Sequence, residues 1–326
     1  MISIALCTYN GAEYIEELLD SINNQTVLPT ELVVQDDKSS DQTIEIIERF
    51  KERAKFPVLI DVNNNNLGVI KNFELAMNRC TSQYIAFSDQ DDVWKPNKLE
   101  VTLQEMQRQE QLYGENTPIL VHTDLEIVDS QLQSIAPSMM QYQHIQNESS
   151  MDDAVRVLLA QNYVTGCTML CNQSLLKIAV PLPNGIIMHD WWLALIAALY
   201  GHIGFIKDST ILYRQHCVNQ VGAKSYVSTS SVARLLRLDG VINSIRKTIV
   251  QSNILVNRMN QIYAIESVKP IHGSVALVEN YLKYIKQRDI RAISQLGIRK
   301  QGWIRILFFY IFLWCFHKTF KLSIEE

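Results

Sequence analysis

Short apolar runs alternate with helical segments throughout the first 123 residues. The runs that we predict to be strands are Ser3–Cys7, Leu32–Gln35, Val58–Val62, Tyr84–Ser88 and Ile119–Thr123. Between the first two runs, apolar residues recur at the spacing of one helix face, at Ile15, Leu18, Leu19 and Ile22. This β-α-β-α order predicts an α/β fold in which helices cover both faces of a mostly parallel sheet.

Polar and acidic residues follow each of the first four predicted strands. The four segments are Thr8–Gly11, Asp36–Asp41, Asn63–Gly68 and Asp89–Asp92. Because parallel strands place their carboxyl ends at one edge of the sheet, ligands of such folds bind there. The sequence therefore predicts a polar crevice built from four loops. Since the first loop lacks a GxGxxG pattern, a dinucleotide-binding dehydrogenase is excluded.

The strongest local signal is the acidic segment at the end of the fourth strand. Three carboxylates, those of Asp89, Asp91 and Asp92, occur within four residues. Like charges this close repel one another unless a cation compensates. Carboxylate oxygens suit Mg²⁺ or Mn²⁺, which bind through one or two carboxylates and the phosphates of a substrate. The alternative is a solvated acidic turn before the helix that starts near Pro96.

Charge is distributed unequally along the chain. Residues 231–326 contain 15 Lys and Arg against 6 Asp and Glu, whereas residues 1–230 contain 15 against 28. The acidic part argues against binding of nucleic acid, and the basic part suits an anionic membrane face. We therefore predict a sheet domain over 1–230 and a basic helical region over 231–326. A solvated helical face is the alternative explanation for the basic residues.

The segment Ile306–Phe316 is apolar and aromatic throughout and is flanked by Arg305 and His317-Lys318. It is shorter than the roughly 20 residues that a membrane-spanning helix needs. Aromatic residues with basic flanks indicate a helix that lies in the membrane interface. A core helix of the C-terminal region is the alternative.

The N-terminus and the cysteines bear on the cellular compartment. Met1–Leu6 lacks a basic region, and the chain becomes polar by Thr8, which favours a buried strand over a signal peptide. The six cysteines include no CxxC pair and no zinc-ligand spacing. We therefore predict a cytoplasmic protein with reduced thiols, peripheral to the inner face of the cell membrane.

Six sequence blocks resemble those of the family 2 glycosyltransferases with the A-type fold, in particular the rhamnosyltransferase-like bacterial members that act in polysaccharide synthesis. In the order typical of the family, the blocks are Ala5–Asn10, Gln35–Asp41, Asn66–Phe73, Ser88–Trp94, His189–Trp192 and Tyr213–His216. They cover roughly the first 220 residues. The resemblance implies an A-type fold, which is a Rossmann-like mixed sheet flanked by helices, and transfer of a sugar from a nucleotide-sugar donor.

The resemblance also implies roles in donor binding for residues at the strand ends. The implied nucleotide-binding residues are Thr8, Tyr9, Asn10, Asp37, Asn66, Gly68, Asn72 and Asp89. Thr8 and Tyr9 would line the nucleobase pocket, and Asp37 would accept a hydrogen bond from the N–H group of uracil or thymine. Asp89 would contact the ribose or the metal's surroundings. The alternatives are an ordinary turn at Thr8–Asn10 and helix caps at Asp36 or Asp37 and at Asn66.

The resemblance further implies two metal ligands and one catalytic base. Asp91 and His216 would bind Mn²⁺ or Mg²⁺, which neutralises the departing diphosphate. Asp190 would accept the proton of the acceptor hydroxyl during an inverting transfer, although it could also serve as a helix N-cap. Many relatives carry an acidic residue where this chain has His189, which leaves the role of that position open.

The resulting hypothesis is an inverting, metal-dependent glycosyltransferase. Its first candidate donor is dTDP-rhamnose, and its acceptor would be a lipid-linked saccharide of a surface polysaccharide. A UDP-hexose or UDP-N-acetylhexosamine donor is the alternative within this class. The alternative outside it is a non-catalytic protein that binds nucleotide-sugars or serves as a scaffold.

Overall fold

Nine strands form one sheet in the part of the chain that the structure describes. This computed structural model describes residues 1–216, 238–266, 270 and 274–315. The strands are β1 (Ile2–Thr8), β2 (Glu31–Asp36), β3 (Val58–Val62), β4 (Tyr84–Ser88), β5 (Val93–Trp94), β6 (Ile119–Val128), β7 (Ser134–Ala136), β8 (Leu170–Asn172) and β9 (His202–Arg214). All five predicted strands are present, and β3 and β4 have the predicted bounds.

Helices connect the first strands, and the elements described after β9 are all helices. They are α1 (Ile15–Asn23), α2 (Thr43–Lys51), α3 (Val69–Arg79), α4 (Lys98–Tyr113), α5 (Met139–Tyr142), α6 (Met151–Leu158), α7 (Gln173–Ala179), α8 (His189–Tyr200), α9 (Leu238–Glu266), α10 (Ser274–Gln287), α11 (Ile290–Gln295) and α12 (Trp303–Cys315). A 3-10 turn spans Gly166–Thr168.

The sheet has a parallel half and a mixed half, in the order β3-β2-β1-β4-β8-β6-β9-β5 with β7 beside β6. Strands β1 to β4 are parallel, and Ile4 of β1 lies between Leu32 and Ala86. The following pairs, β4 with β8, β8 with β6 and β9 with β5, are antiparallel. The prediction of a mostly parallel sheet is therefore right for the first half and wrong for the second, where antiparallel pairs make the sheet a mixed one.

Apolar faces hold the helices against this sheet. The four α1 residues predicted to share one face, from Ile15 to Ile22, are all fully buried. Helix α3 packs against β1 and β2 through residues such as Phe73 and Ala76. Burial of each large aliphatic or aromatic side chain contributes about 1.5–3 kcal/mol, so these faces fix the loops that join the helices to the strand ends.

The described residues divide into two compact units that interleave along the sequence. The first contains Met1–Met140, Val164–Leu182 and the described residues from Ile203 to His216, which together carry the sheet. The second contains Gln141–Tyr163, Pro183–His202 and the described residues from Leu238 onward, and it is helical. The predicted boundary at residue 230 falls within 217–237, outside the described residues.

Helix α12 contains most of the apolar segment noted in the sequence. It buries Phe309, Phe312 and Leu313 against its neighbours in the second unit. The remaining residues of that segment and its basic flank, from 316 onward, lie outside the described residues. Among the helices that are described, none has both the length and the apolar character needed to cross a membrane.

Candidate functional site

The loops that follow β1 and β2 are joined by side-chain hydrogen bonds. Thr8 donates from Oγ1 to Oδ2 of Asp36 at 2.6 Å, and the Asn10 side chain accepts the Ser40 backbone N–H at 2.8 Å. Ser39 donates its backbone N–H and its hydroxyl to Asp36. Thr8 and Asp36 are both buried. The Thr8 hydroxyl therefore organises the loop, and its predicted contact with a nucleobase stays a prediction.

Asp37 accepts three hydrogen bonds from the loop that follows β3. Its Oδ1 accepts the Leu67 N–H at 2.7 Å and the Asn63 side-chain amide at 2.8 Å, and its Oδ2 accepts the Gly68 N–H at 2.8 Å. A carboxylate has about four acceptor positions. One position on Oδ2 thus remains for a further donor, such as a base N–H.

The side-chain amides of Asn63 and Asn72 form a buried hydrogen-bond network that supports Asp37. Asn63 donates to both Asp37 and Asn72 at 2.8 Å, and Asn72 in turn donates to the backbone carbonyl of Gln35 at 2.8 Å. Asn72 is almost fully buried. Asn72, which was predicted to bind the donor, therefore supports this loop from the interior of the fold. Asn66 lies at the surface of this loop and approaches the Asp37 carbonyl at 3.5 Å.

The cap alternatives raised for these loops are wrong. Gly68 is the N-cap of α3, with φ at 82°, so Asn66 does not cap that helix. Gln42 precedes α2, so neither Asp36 nor Asp37 caps it. A positive φ is a conformation that glycine adopts without steric cost. Gly68 thus lets two successive N–H groups, its own and that of Leu67, point at Asp37.

Gln90 ties the acidic loop to the loop that follows β1. It accepts the Tyr9 N–H at 2.8 Å and donates to the Tyr9 carbonyl at 3.0 Å. A Cβ atom at Gly11 would lie 2.4 Å from Oε1 of Gln90, so a larger residue at position 11 would displace this side chain. The Tyr9 side chain is 46% exposed, which leaves its ring free to stack on a planar ligand.

Asp91 and His216, the two predicted metal ligands, are in contact. Oδ2 of Asp91 lies 2.7 Å from Nε2 of His216, and the two side chains are only 17% and 12% exposed. The residues are 125 positions apart in sequence, and β9 brings them together by ending beside the acidic loop. The ring of Tyr14 lies 5.1 Å from the His216 ring and covers it on one side.

Asp92 lies beneath this pair in the interior. Burial raises the pKa of its carboxyl, and the nearby carboxyls of Asp91 and Asp89 raise it further. Lys98 is also buried, with Nζ 4.0 Å from the centroid of the Trp94 ring. Burial lowers the pKa of Lys98 to about 8, while Cys167 and Asp92 act in the opposite direction. The solvated acidic turn considered above is therefore wrong for Asp92.

The donor atoms of Asp91 and His216 fit a divalent cation. One carboxylate and one imidazole are acceptable ligands for Mn²⁺, and a site with few protein ligands leaves positions for phosphate and water. Asp89, Asp92 and Cys167 also have ligand atoms within 4.8 Å of one another. However, burial and the adjacent Asp92 raise the pKa of the Cys167 thiol, and a protonated thiol is a poor ligand.

Arg214 fixes the backbone around the acidic loop. Its guanidinium is fully buried and donates to the carbonyls of Asp91 at 2.9 Å and Ser130 at 2.6 Å, and to the Glu17 carboxylate at 2.5 Å. It also lies 4.5 Å from the centroid of the Tyr14 ring. Arg214 thereby holds Asp91 and the end of β9 in register.

Asp190 belongs to the second unit, in the first turn of α8. The N-cap of this helix is Met188, so the N-cap alternative for Asp190 is wrong, although its Oδ1 accepts the Trp191 N–H at 2.5 Å. The positive end of a helix favours a carboxylate in the first turn. Trp192 is fully buried, and the Trp191 indole donates to the Leu158 carbonyl at 2.7 Å. The role of Asp190 as a base stays a prediction.

His189, whose role the sequence left open, is a buried neutral imidazole. Burial lowers its pKa to about 3 from an ordinary 6.5. Because the unfolded chain takes up a proton below pH 6.5 and the folded chain does not, stability falls as the pH drops from about 6.5 to about 3. Between pH 7.5 and 5, we expect wild type to lose about 2 kcal/mol more unfolding free energy than His189→Gln. Urea unfolding at both pH values measures this, and parallel losses in the two proteins would contradict it.

Several supporting residues were not singled out from the sequence. They are Tyr14, Glu17, Asn63, Gln90, Lys98 and Arg214. The sequence gave no sign of which atoms these side chains contact. Gln90 and Arg214 lie within two of the six sequence blocks, and Asn63 begins the polar segment after the third strand, and these placements were the available signal.

The comparisons with known proteins agree with this geometry. The family model of Glycosyl transferase family 2 matches residues 3–152. An uncharacterized protein of Mycobacterium tuberculosis is 27% identical over 218 residues, which cover 66% of this chain and 58% of that protein. The dTDP-rhamnosyl transferase RfbG of Shigella flexneri is 29% identical over 237 residues, 67% of this chain and 74% of that one.

Among solved structures, residues 1–349 of TarS from S. aureus in complex with UDP-GlcNAc have a TM-score of 0.56 at 19% identity. The match covers 99% of this chain and 90% of that one. At this identity the likeness shows the fold. The predicted fold class, a sheet flanked by helices with a C-terminal helical region, is therefore confirmed. The family match thus identifies residues 3–152, just under half of this chain, as a domain of glycosyl transferase family 2.

Proposed function

We propose that the protein is a metal-dependent glycosyltransferase that transfers a sugar from a nucleoside diphosphate sugar to a saccharide hydroxyl, with inversion. The observation that carries the proposal is the contact of Asp91 with His216 at the carboxyl edge of the sheet. Gln90 connects the same loop to Tyr9, so the metal ligands and the nucleobase loop form one hydrogen-bonded assembly.

The base of the donor would be a pyrimidine held by Tyr9 and Asp37. The free position on Oδ2 of Asp37 would accept the imide N–H that uracil and thymine share, and the exposed Tyr9 ring would stack on the base. The similarity to a dTDP-rhamnosyl transferase favours dTDP-rhamnose as the first candidate. The TarS complex with UDP-GlcNAc supports a UDP-N-acetylhexosamine or UDP-hexose as the alternative.

Asp91 and His216 would hold Mn²⁺ or Mg²⁺, with Asp89 close by. When bound, the cation supplies positive charge for the diphosphate leaving group. The buried Asp92 accepts the Arg214 N–H at 3.3 Å, and the Arg214 side chain donates to the Asp91 carbonyl at 2.9 Å. These residues would therefore set the position of the ligands before the donor arrives.

Asp190 would act as the base in the transfer. An inverting reaction needs one carboxylate to accept the proton of the attacking hydroxyl. The Trp191 N–H that bonds to Oδ1 helps to fix the position of this carboxylate. The acceptor would be a lipid-linked saccharide of a surface polysaccharide, and the enzyme would work in the cytoplasm at the inner face of the membrane.

The first test is calorimetric titration of the full chain with UDP, dTDP and GDP, each with and without Mn²⁺. We expect UDP or dTDP to bind in a Mn²⁺-dependent manner, and Asp91→Ala to weaken this binding at least about tenfold, since it removes a charged ligand. Asp208→Ala, at an exposed carboxylate of β9, is the matched control and should bind like wild type.

Either of two results would contradict the proposal. One is the absence of binding of any nucleoside diphosphate, which would favour the scaffold alternative. The other is binding that is indifferent to Mn²⁺ and to Asp91→Ala, which would leave a nucleotide-binding protein without the proposed metal site. Preference for UDP or dTDP in the same titrations would choose between the two donor classes.

A further inference from the structure

One face of helix α12 carries large apolar side chains that the described structure leaves exposed. Trp303, Leu307, Ile311 and Trp314 are 71%, 51%, 42% and 67% exposed, respectively. Their spacing of four, four and three residues places them within one stripe, because successive residues of an α-helix are about 100° apart. We call these four residues the α12 stripe.

The α12 stripe lies apart from the face that packs. Phe309, Phe312 and Leu313 are buried, and α12 contacts α9 and α11 in the same unit. The core of the second unit therefore does not need the stripe for its completion. A contiguous apolar surface of this kind in a protein usually marks a binding surface.

We propose that the α12 stripe inserts into the interfacial layer of an anionic lipid bilayer. Tryptophan occupies both ends of the stripe, and its amphipathic ring prefers the level of the lipid headgroups. A helix of 13 residues is about 20 Å long, which suits an orientation in the plane of the membrane surface. The inference goes beyond the proposed sugar transfer and does not depend on it.

The charge of the surrounding chain favours lipid over a second copy of the protein. The segment from Ser274 to Cys315 contains seven basic residues, Lys283, Lys286, Arg288, Arg291, Arg299, Lys300 and Arg305, against two acidic ones, Glu279 and Asp289. Four of the cations, from Lys283 to Arg291, are exposed on or between α10 and α11. Anionic lipid attracts this charge, whereas two copies facing each other would repel.

The test is flotation of the full chain with vesicles of phosphatidylcholine and phosphatidylglycerol, and with phosphatidylcholine alone. We expect binding to the anionic vesicles that weakens as salt is added. The double variant Leu307→Glu/Ile311→Glu should lower the partition coefficient at least about tenfold, because two charges replace apolar side chains that would be buried in the interface. Tyr263→Glu, an exposed aromatic position of α9, is the matched control and should bind like wild type.

A second measurement covers the case in which the double variant misfolds. Brominated lipids quench tryptophans that enter the bilayer, and we expect Trp303→Phe/Trp314→Phe to bind while losing most of this quenching. Unchanged binding by a folded double variant, no binding by wild type, or a dimer of wild type that the double variant dissociates would each overturn the proposal. Because nucleotide binding is measured separately, failure of one proposal leaves the other intact.

Discussion

Asp190→Asn should lower kcat for sugar transfer by about 10³-fold, while the dissociation constant for the metal and nucleoside diphosphate changes little. The amide has nearly the size of the carboxylate but cannot take up the hydroxyl proton. Its oxygen can still accept the Trp191 N–H that Oδ1 accepts at 2.5 Å, so we expect α8 to stay folded. Initial rates at saturating donor and calorimetry of nucleotide binding measure the two quantities.

The matched control for this variant is Asp152→Asn. Asp152 is also an acidic residue in the first turn of a helix of the second unit, and its Oδ1 accepts a hydrogen bond from Ser274 at 2.9 Å. Any general effect of removing a negative charge at a helix N-terminus would appear in both variants. A loss of less than about tenfold in Asp190→Asn, or an equal loss in Asp152→Asn, would remove Asp190 from the role of base.

The parallel half of the fold could be predicted because its strands are buried on both faces. Such strands are continuous apolar runs, as in β1 and β4, and polar residues mark their ends. Except for β6, the strands of the second half lack this signal. Strand β8 has three residues, and β9 mixes buried, half-buried and exposed positions over 13 without a regular period. Their antiparallel pairing depends on contacts between distant segments, which a local pattern does not contain.

The interleaving of the two units also depends on contacts between residues that are far apart in sequence. Helices α6 and α8 precede residue 217 in sequence, yet both belong to the helical unit, where they pack against each other. Arg156 of α6 donates from Nε to the Leu296 carbonyl at 2.9 Å, across 140 positions of sequence. The charge of the chain changes from acidic to basic along the sequence, but this change does not indicate which earlier segments pack with the later helices.

In the candidate site, too, some features follow from local sequence and others depend on contacts between distant segments. The acidic loop and the polar strand ends were visible as residue types at the ends of predicted strands. The pairing of Asp91 with His216 came only from the resemblance to a family, since nothing local connects the two positions. The supporting contacts of Gln90, Asn63 and Arg214 were not predicted, because each depends on the direction of one side chain across the sheet edge.

Arg214→Met should destabilise the first unit by about 3 kcal/mol and weaken Mn²⁺-dependent nucleotide binding. Its buried guanidinium bonds to the carbonyls of Asp91 and Ser130, and each buried acceptor left without a donor costs about 1–3 kcal/mol. The ion pair with Glu17 adds little to this estimate, because the Glu17 side chain is 53% exposed. Urea unfolding and calorimetry with UDP or dTDP measure the two effects.

Arg214→Lys separates the charge of this residue from its geometry. Lysine keeps the positive charge but places its donors on one atom, so it cannot reach both carbonyls and Glu17 as the planar guanidinium does. We expect about half the loss of stability and most of the loss in binding, because Asp91 would no longer be held. Arg108→Met, which removes the exposed ion-pair partner of Glu105 in α4, should cost less than about 1 kcal/mol. If Arg214→Lys binds nucleotide and Mn²⁺ like wild type, Arg214 stabilises the fold without positioning the metal ligand.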